Sequence, residues 1–213
     1  MVVGVPDTVL PTSALRRAVQ EARARHLPLT VVHGFAAPFG DAPTEASLAA
    51  IRERLRAAVH ACPGDDLNVD LVLSDVGATP ALLVAAEAAA LLVVGGRPRG
   101  VVGRHLLGTV SGGCLQAAVC PVMVVPPVEA REPAARGRVV VAVDESGPSH
   151  AALAWAVAQA RTSGVTLDVV AVCPPGHDPE LVRTSVSRAL RHADGAVPAD
   201  ALRVLEGDRK SVV

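Results

Sequence analysis

The residues with the clearest chemical potential lie where the apolar run Leu91-Leu92-Val93-Val94 opens into Gly95-Gly96-Arg97-Pro98-Arg99-Gly100 and, further on, into Gly108-Thr109-Val110-Ser111. Glycine lets a backbone approach a phosphate closely and takes positive φ cheaply. Free N–H groups at a helix start, with the hydroxyls of Thr109 and Ser111, can donate to phosphate oxygens. Arg97, Arg99 and Arg104 add positive charge to the same loop. The chemistry available to this set is anion binding, through Gly95, Arg97, Gly108, Thr109, Val110 and Ser111. The plainer reading of the same residues is a strand-to-helix connection in which Thr109 or Ser111 caps the helix and the arginines are solvated. No G-x-S-x-G elbow and no carboxylate pair at a catalytic spacing occurs, so nothing nominates a nucleophile or general base.

Gly95, two residues, Pro98, nine residues and then Gly108-Thr109 resembles the G-x2-G-x9-G-[S/T] motif of the universal stress protein family, and Val110-Ser111 and Cys120-Pro121-Val122 follow as they do there. The resemblance implies a stress-response regulatory module that binds an adenine nucleotide, ATP, in an α/β domain of strand order 3-2-1-4-5 that is often dimeric. Two positions depart from the pattern. Pro98 stands where the second glycine would be and donates no N–H. A hydrogen bond to a charged group is worth about 1.5 to 3 kcal/mol, so its loss weakens a nucleotide roughly ten-fold to a hundred-fold. ATP-binding members also carry an Asp at the end of the first strand, where this chain has Pro6, with Asp7 one place on. Either Asp7 substitutes through a small shift or the site is degenerate.

The elements that must position this loop follow from periodicity. Val2 to Val5 reads as a strand, and Leu15, Ala18, Val19 and Ala22 recur at helical spacing behind a Thr12 or Ser13 cap. Leu29 to His33 is a second strand. Thr44 caps a helix with an apolar face of Leu48, Ile51, Leu55, Val59 and Cys62, which Pro63-Gly64 stops. Leu67, Val69, Leu71 and Leu73 alternate as a half-exposed strand. Thr79-Pro80 reads as a cap followed by proline at the first helical position, with the helix reaching about Ala88. Leu91 to Val94 and Pro121 to Val125 read as buried strands around a helix ending near Ala118. Alternating strand and helix predicts a doubly wound, mainly parallel five-stranded α/β sheet.

Pro126 to Gly137 reads as a linker, and a repeat follows. Val140-Val141-Ala142-Val143 answers Val2-Val3-Gly4-Val5, and Leu153, Ala156, Val157 and Ala160 answer Leu15, Ala18, Val19 and Ala22 without a gap. Asp178-Pro179 opens another helix, and Leu202 to Leu205 answers the strand at Leu71 to Leu73. The expected organisation is a nucleotide-binding α/β domain over 1–126, a linker over 127–138 and an incomplete second copy over 139–213. The second copy has Asp144 in the place of the family's Asp but lacks a glycine loop, so Asp144 reads as a turn or cap residue. Its strand at Val140 is left as an open apolar edge, which favours a homodimer or another protein partner.

Composition sets the remaining bounds. Half of the 213 residues are apolar and net charge is −1, with Trp155, Phe35 and Phe39 as the only large rings, so a partner nucleic acid is not indicated. Four cysteines without a C-x-x-C pair and seven histidines without ligand spacing favour reduced thiols and no metal. Cys114, Cys120, His33 and His105 read as packing or surface residues. Met1 to Val5 lacks the basic start of a signal peptide, and the apolar stretch Ala81 to Val94 is interrupted by Glu87 and short for a bilayer. A cytoplasmic protein without a membrane partner is expected. Three functions remain: an ATP-binding regulator, a nucleotide-free member acting through dimerisation or protein contacts, and a slow ATP hydrolase, for which no base or Mg²⁺ carboxylate can be named.

Overall fold

Threonine sets the first two helices. The Thr12 hydroxyl accepts the Leu15 N–H at 3.1 Å and Thr44 accepts that of Ser47 at 3.2 Å, satisfying amides that have no partner inside the helix. The computed structural model describes residues 1–6, 12–35, 43–63, 67–96, 108–127, 137–144, 146–173, 175–192 and 202–206. In the first compact unit, Met1–Glu132, the elements run β1 Val2–Gly4, α1 Ser13–Ala24, β2 Leu29–Gly34, α2 Glu45–His60, β3 Val69–Ser74, α3 Ala78–Ala86, β4 Leu92–Gly95, α4 Thr109–Ala117 and β5 Val122–Val125. All neighbouring strands are parallel and the order is β3-β2-β1-β4-β5.

Strand alternation decides which helix covers which face. Val2, Val32, Leu92 and Val94 pack with Leu82 of α3 and Cys114 of α4. Val3, Val31 and Val93 point the other way and are fully buried, on the side where α1 meets β1 and β4. Burying one such side chain contributes about 1.5 to 3 kcal/mol, which is why valine and leucine fill most buried positions of the central strands. β3 alternates as expected, with Asp70 and Val72 exposed. β5 does not match the expectation of a buried strand: all four of its residues are half-buried, because among the described residues it is an edge strand paired only with β4.

Helix α3 also begins earlier than Thr79-Pro80 suggests. Gly77, at φ 86°, is the N-cap, and Pro80 is the third helical residue. Proline is tolerated there because the first amides of a helix have no internal acceptor. The helix ends at Ala86, two residues short of the expected end.

The second unit, Pro133–Val213, contains β6 Arg138–Val143, α5 Gly147–Ser163, β7 Thr166–Cys173, α6 Pro179–His192 and β8 Leu202–Glu206, with a parallel sheet in the order β6-β7-β8. The repeat is carried into the ladder: Val2 pairs with Thr30 and Val3 with Val31, while Val140 pairs with Asp168 and Val141 with Val169. Leu153 of α5 and Val186 of α6 pack on the face that holds Val141, Val169 and Leu202. On the opposite face Val140 is 58% and Leu205 40% exposed.

Candidate functional site

In the first sheet the chain leaves β1 towards β2 on one side and β4 towards β5 on the other. Ligands of open α/β sheets bind beyond the carboxyl ends of strands at such a reversal. A cavity of about 390 Å³ lies there, lined by Pro6 after β1, His33 and Gly34 of β2, Leu82 of α3, Gly95 of β4 and Val110 of α4. Gly95 and Val110 are thus brought together, as the glycine motif requires.

Gly95 is not needed by the fold itself. Its φ is not positive, and a Cβ built on it meets nothing closer than the Ala14 Cβ at 4.0 Å. A Cβ would point towards α1, so Gly95 lines the cavity through its backbone, which suits close approach of a ligand. Gly96 contributes no donor, since its N–H bonds the Val125 carbonyl at 2.8 Å.

Gly108 is the N-cap of α4. The first helical bond runs from the Gly112 N–H to the Gly108 carbonyl at 2.8 Å, so the amides of Thr109, Val110 and Ser111 lie ahead of it. These three amides and the helix dipole form an anion-binding end. The two hydroxyls differ. Thr109 is exposed. Ser111 is 1% exposed, and its Oγ accepts the Gly108 N–H at 2.8 Å while donating to the Gly108 carbonyl at 3.2 Å. The Ser111 hydroxyl therefore fixes Gly108, and the Ser111 main-chain N–H is one of the helix-start amides ahead of the first helical bond.

Gly113 brings the two helices of this face together: a Cβ there would lie 2.9 Å from the Thr79 Cγ2. Arg97, together with Pro98, Arg99, Arg104, His105 and Asp7, lies outside the described residues.

The sequence reading undervalued His33. Its ring is 6% exposed and Nδ1 lies 3.0 Å from the Val5 carbonyl, tying β2 to the end of β1. A carbonyl only accepts, so Nδ1 carries the proton and a neutral ring has its lone pair on Nε2. A histidine closing a strand otherwise made of Leu, Val and Thr was the available signal. The thiols behave as packing groups. Burial pushes Cys62, Cys114 and Cys120 above the ordinary thiol pKa, against a lowering by Arg16 and Arg23 at Cys62.

Asp144 in the second unit caps a turn. Its carboxylate accepts the Ser146 N–H at 2.9 Å and the Ser146 hydroxyl, and its own N–H donates to Ser149 Oγ at 2.8 Å. Among the described residues no group of three His, Cys, Asp or Glu side chains could hold a metal, and no helix is long and apolar enough to cross a membrane.

Comparison with known proteins adds an independent line. The sequence model of the Universal stress protein family matches residues 1–126 and 135–206. A universal stress protein of Mycolicibacterium smegmatis is 28% identical over 180 residues, 78% of this chain and 61% of its own length. The chain thus spans about three-fifths of that relative. A universal stress protein structure from Archaeoglobus fulgidus DSM 4304 aligns over 97% of this chain and 77% of its own, with TM-score 0.65 and 16% identity. Another from Archaeoglobus fulgidus, solved in complex with dAMP, is 25% identical over 58% of this chain and 94% of its own, with TM-score 0.43.

Proposed function

Since the chain belongs to the universal stress protein family, we propose that its first unit is a cytoplasmic regulatory module that takes an adenine nucleotide, ATP, in the cavity beyond β1, β2 and β4. The observation that carries this reading is Gly95, which no neighbour in the chain requires to be glycine and which opens onto a cavity of about 390 Å³. That volume falls in the ligand-pocket range of about 300 to 1,000 Å³. The nucleoside fits among Val5, His33 and Leu82, and the phosphates extend to the amides of Thr109, Val110 and Ser111. Gly108 gives them close approach, and Arg97 supplies charge. Pro6 and Pro98 remove two contacts, so binding is weak. In this division residues 1–126 hold the nucleotide, 127–138 link, and 139–213 belong to a second copy of the unit.

Calorimetric titration of ATP with Mg²⁺ into the full chain tests the reading. Saturation near one ATP per chain at micromolar to sub-millimolar Kd supports it. Absence of heat at millimolar ATP, from a chain shown to be folded, rejects it.

A second reading, action through a homodimer or protein contacts, draws on a different observation. Among the described residues β6 pairs only with β7, and Val140 and Leu205 are exposed on one face of that sheet. Sedimentation equilibrium of wild type and Val140→Lys measures it: a dimer that the charge disrupts is the expected result, and a monomer at all concentrations excludes homodimerisation.

A further inference from the structure

A second concavity of the first unit, larger than the cavity just described, lies away from it, between α2 and β3. It holds about 570 Å³ and is lined by Arg52 and Arg56 of α2, Arg23 of α1, and Val69 and Leu71 of β3. Arg52, Arg56 and His60 recur every fourth residue and so share one face of α2. On α2, Arg52 and Arg56 are exposed, and Arg56 meets Glu53 only at 3.8 Å with both side chains exposed, an ion pair of little strength; among the described residues Asp70 is the one acid on the lining.

Beside these arginines runs an unpaired strand edge. Among the described residues β3 pairs only with β2. The Asn68 carbonyl accepts the Leu29 N–H at 2.9 Å and the Ser74 carbonyl accepts that of Phe35 at 2.8 Å. Main-chain groups alternate in direction along a strand, so even-numbered residues face β2, and the N–H and C=O of Val69, Leu71 and Leu73 face outwards. Val69 and Leu71 also line the groove, next to Val59 and Leu67. A row of open backbone donors and acceptors, an apolar floor and an arginine wall on an overhanging helix are the parts of a strand-addition site.

We propose that this groove docks an extended acidic peptide as an additional strand beside β3, with its carboxylates on Arg52 and Arg56 and its apolar side chains over Val69 and Leu71. Polypeptide rather than nucleic acid is indicated because the edge offers the spacing of main-chain amides, and among the described residues the lining has no Phe, Tyr or Trp on which a base could stack.

Fluorescence anisotropy with the full chain tests it, using a labelled peptide of alternating Glu and Val, its Lys and Val counterpart, and the Glu peptide N-methylated on alternate residues in either phase. The expected result is binding of the Glu peptide at least ten-fold tighter than the Lys peptide, weakening with salt. Arg52→Glu with Arg56→Glu, folded by circular dichroism, should reduce it at least ten-fold. N-methylation should abolish binding in one phase and spare it in the other. The methylated peptides leave the protein unaltered and so decide the matter even if the double variant misfolds. The proposal is overturned if the Glu peptide does not bind at millimolar concentration, if the Lys peptide or both methylated peptides bind as well, if the folded double variant binds as tightly, or if oligo-dT displaces the peptide at equal concentration.

Discussion

A Cβ placed on Gly34 would lie 2.5 Å from the Cα of Ala78 and 2.6 Å from its N, so the end of β2 and the first turn of α3 meet backbone to backbone. Backbone cannot swing aside as a side-chain tip can. Gly34→Ala should therefore displace α3 and cost about 1 to 3 kcal/mol, the usual penalty of overpacking. Urea unfolding of the variant should show a lower midpoint at unchanged slope. Because Leu82 of α3 lines the cavity, ATP affinity should fall as well; an unchanged midpoint would show that α3 yields freely.

Gly95 offers the opposite case. Its Cβ position is open, and its φ lies outside the left-handed region. Gly95→Ala should leave the fold intact or raise stability by about 0.4 to 1 kcal/mol, through the lower entropy of the unfolded chain. Gly95→Val, which adds a branched side chain beside the backbone that lines the cavity, should weaken ATP at least ten-fold with little change in thermal midpoint. Full ATP affinity in a folded Gly95→Val protein would remove Gly95 from the site.

Ser111→Ala removes the hydroxyl that closes on both the N–H and the carbonyl of Gly108. Loss of a helix-start bond at a buried position costs about 1 to 2 kcal/mol. Thermal unfolding should report that loss, and ATP affinity should drop by a smaller factor, since the Ser111 N–H remains. A large loss of affinity at unchanged stability would instead place the hydroxyl on the phosphate.

These contrasts mark what was legible in the sequence. The succession of strands and helices, the threonine caps and the repeat register were, because apolar periodicity and capping chemistry are local signals; the strand order came from the family resemblance of the glycine motif. Gly77 as the start of α3 was not: Thr79-Pro80 is the stronger local signal, and a glycine's positive φ leaves no trace in the chain. The half-burial of β5 depends on which strands lie at the edge, a property of the whole sheet. Around the cavity, the nearness of Gly95 and Val110 follows from the motif spacing that the resemblance picked out. The inward turn of Ser111 and the hydrogen bond from His33 to Val5 needed the fold, since each depends on a partner whose position the side chain itself does not reveal.

Pro98 lies outside the described residues, and the expectation there comes from chemistry alone. Proline has no N–H, so Pro98→Gly should restore one donor and tighten ATP by roughly ten-fold or more. Calorimetry on the two proteins at equal Mg²⁺ measures it. Unchanged or weaker binding would refute the missing-donor argument.

Stability on the alkaline side should fall because of buried thiols. Cys114 is fully buried, and burial raises its pKa above the ordinary 9.0, with Cys120 adding to the rise. A group whose folded pKa is raised contributes stability that is complete below its unfolded pKa and is lost as pH climbs through the folded one. Above about pH 9 the unfolded thiol releases its proton while the folded one keeps it, so unfolding gains about 1.4 kcal/mol per pH unit for each such group. Cys62 and Cys120 shift in the same direction, so the wild-type urea midpoint should decline more steeply between pH 9 and 10.5 than between 7.5 and 9. Cys114→Ala lowers stability at every pH by leaving a small void, but its decline above pH 9 should be shallower. Parallel curves for the two proteins over that range would show that Cys114 ionises alike in the folded and unfolded chain.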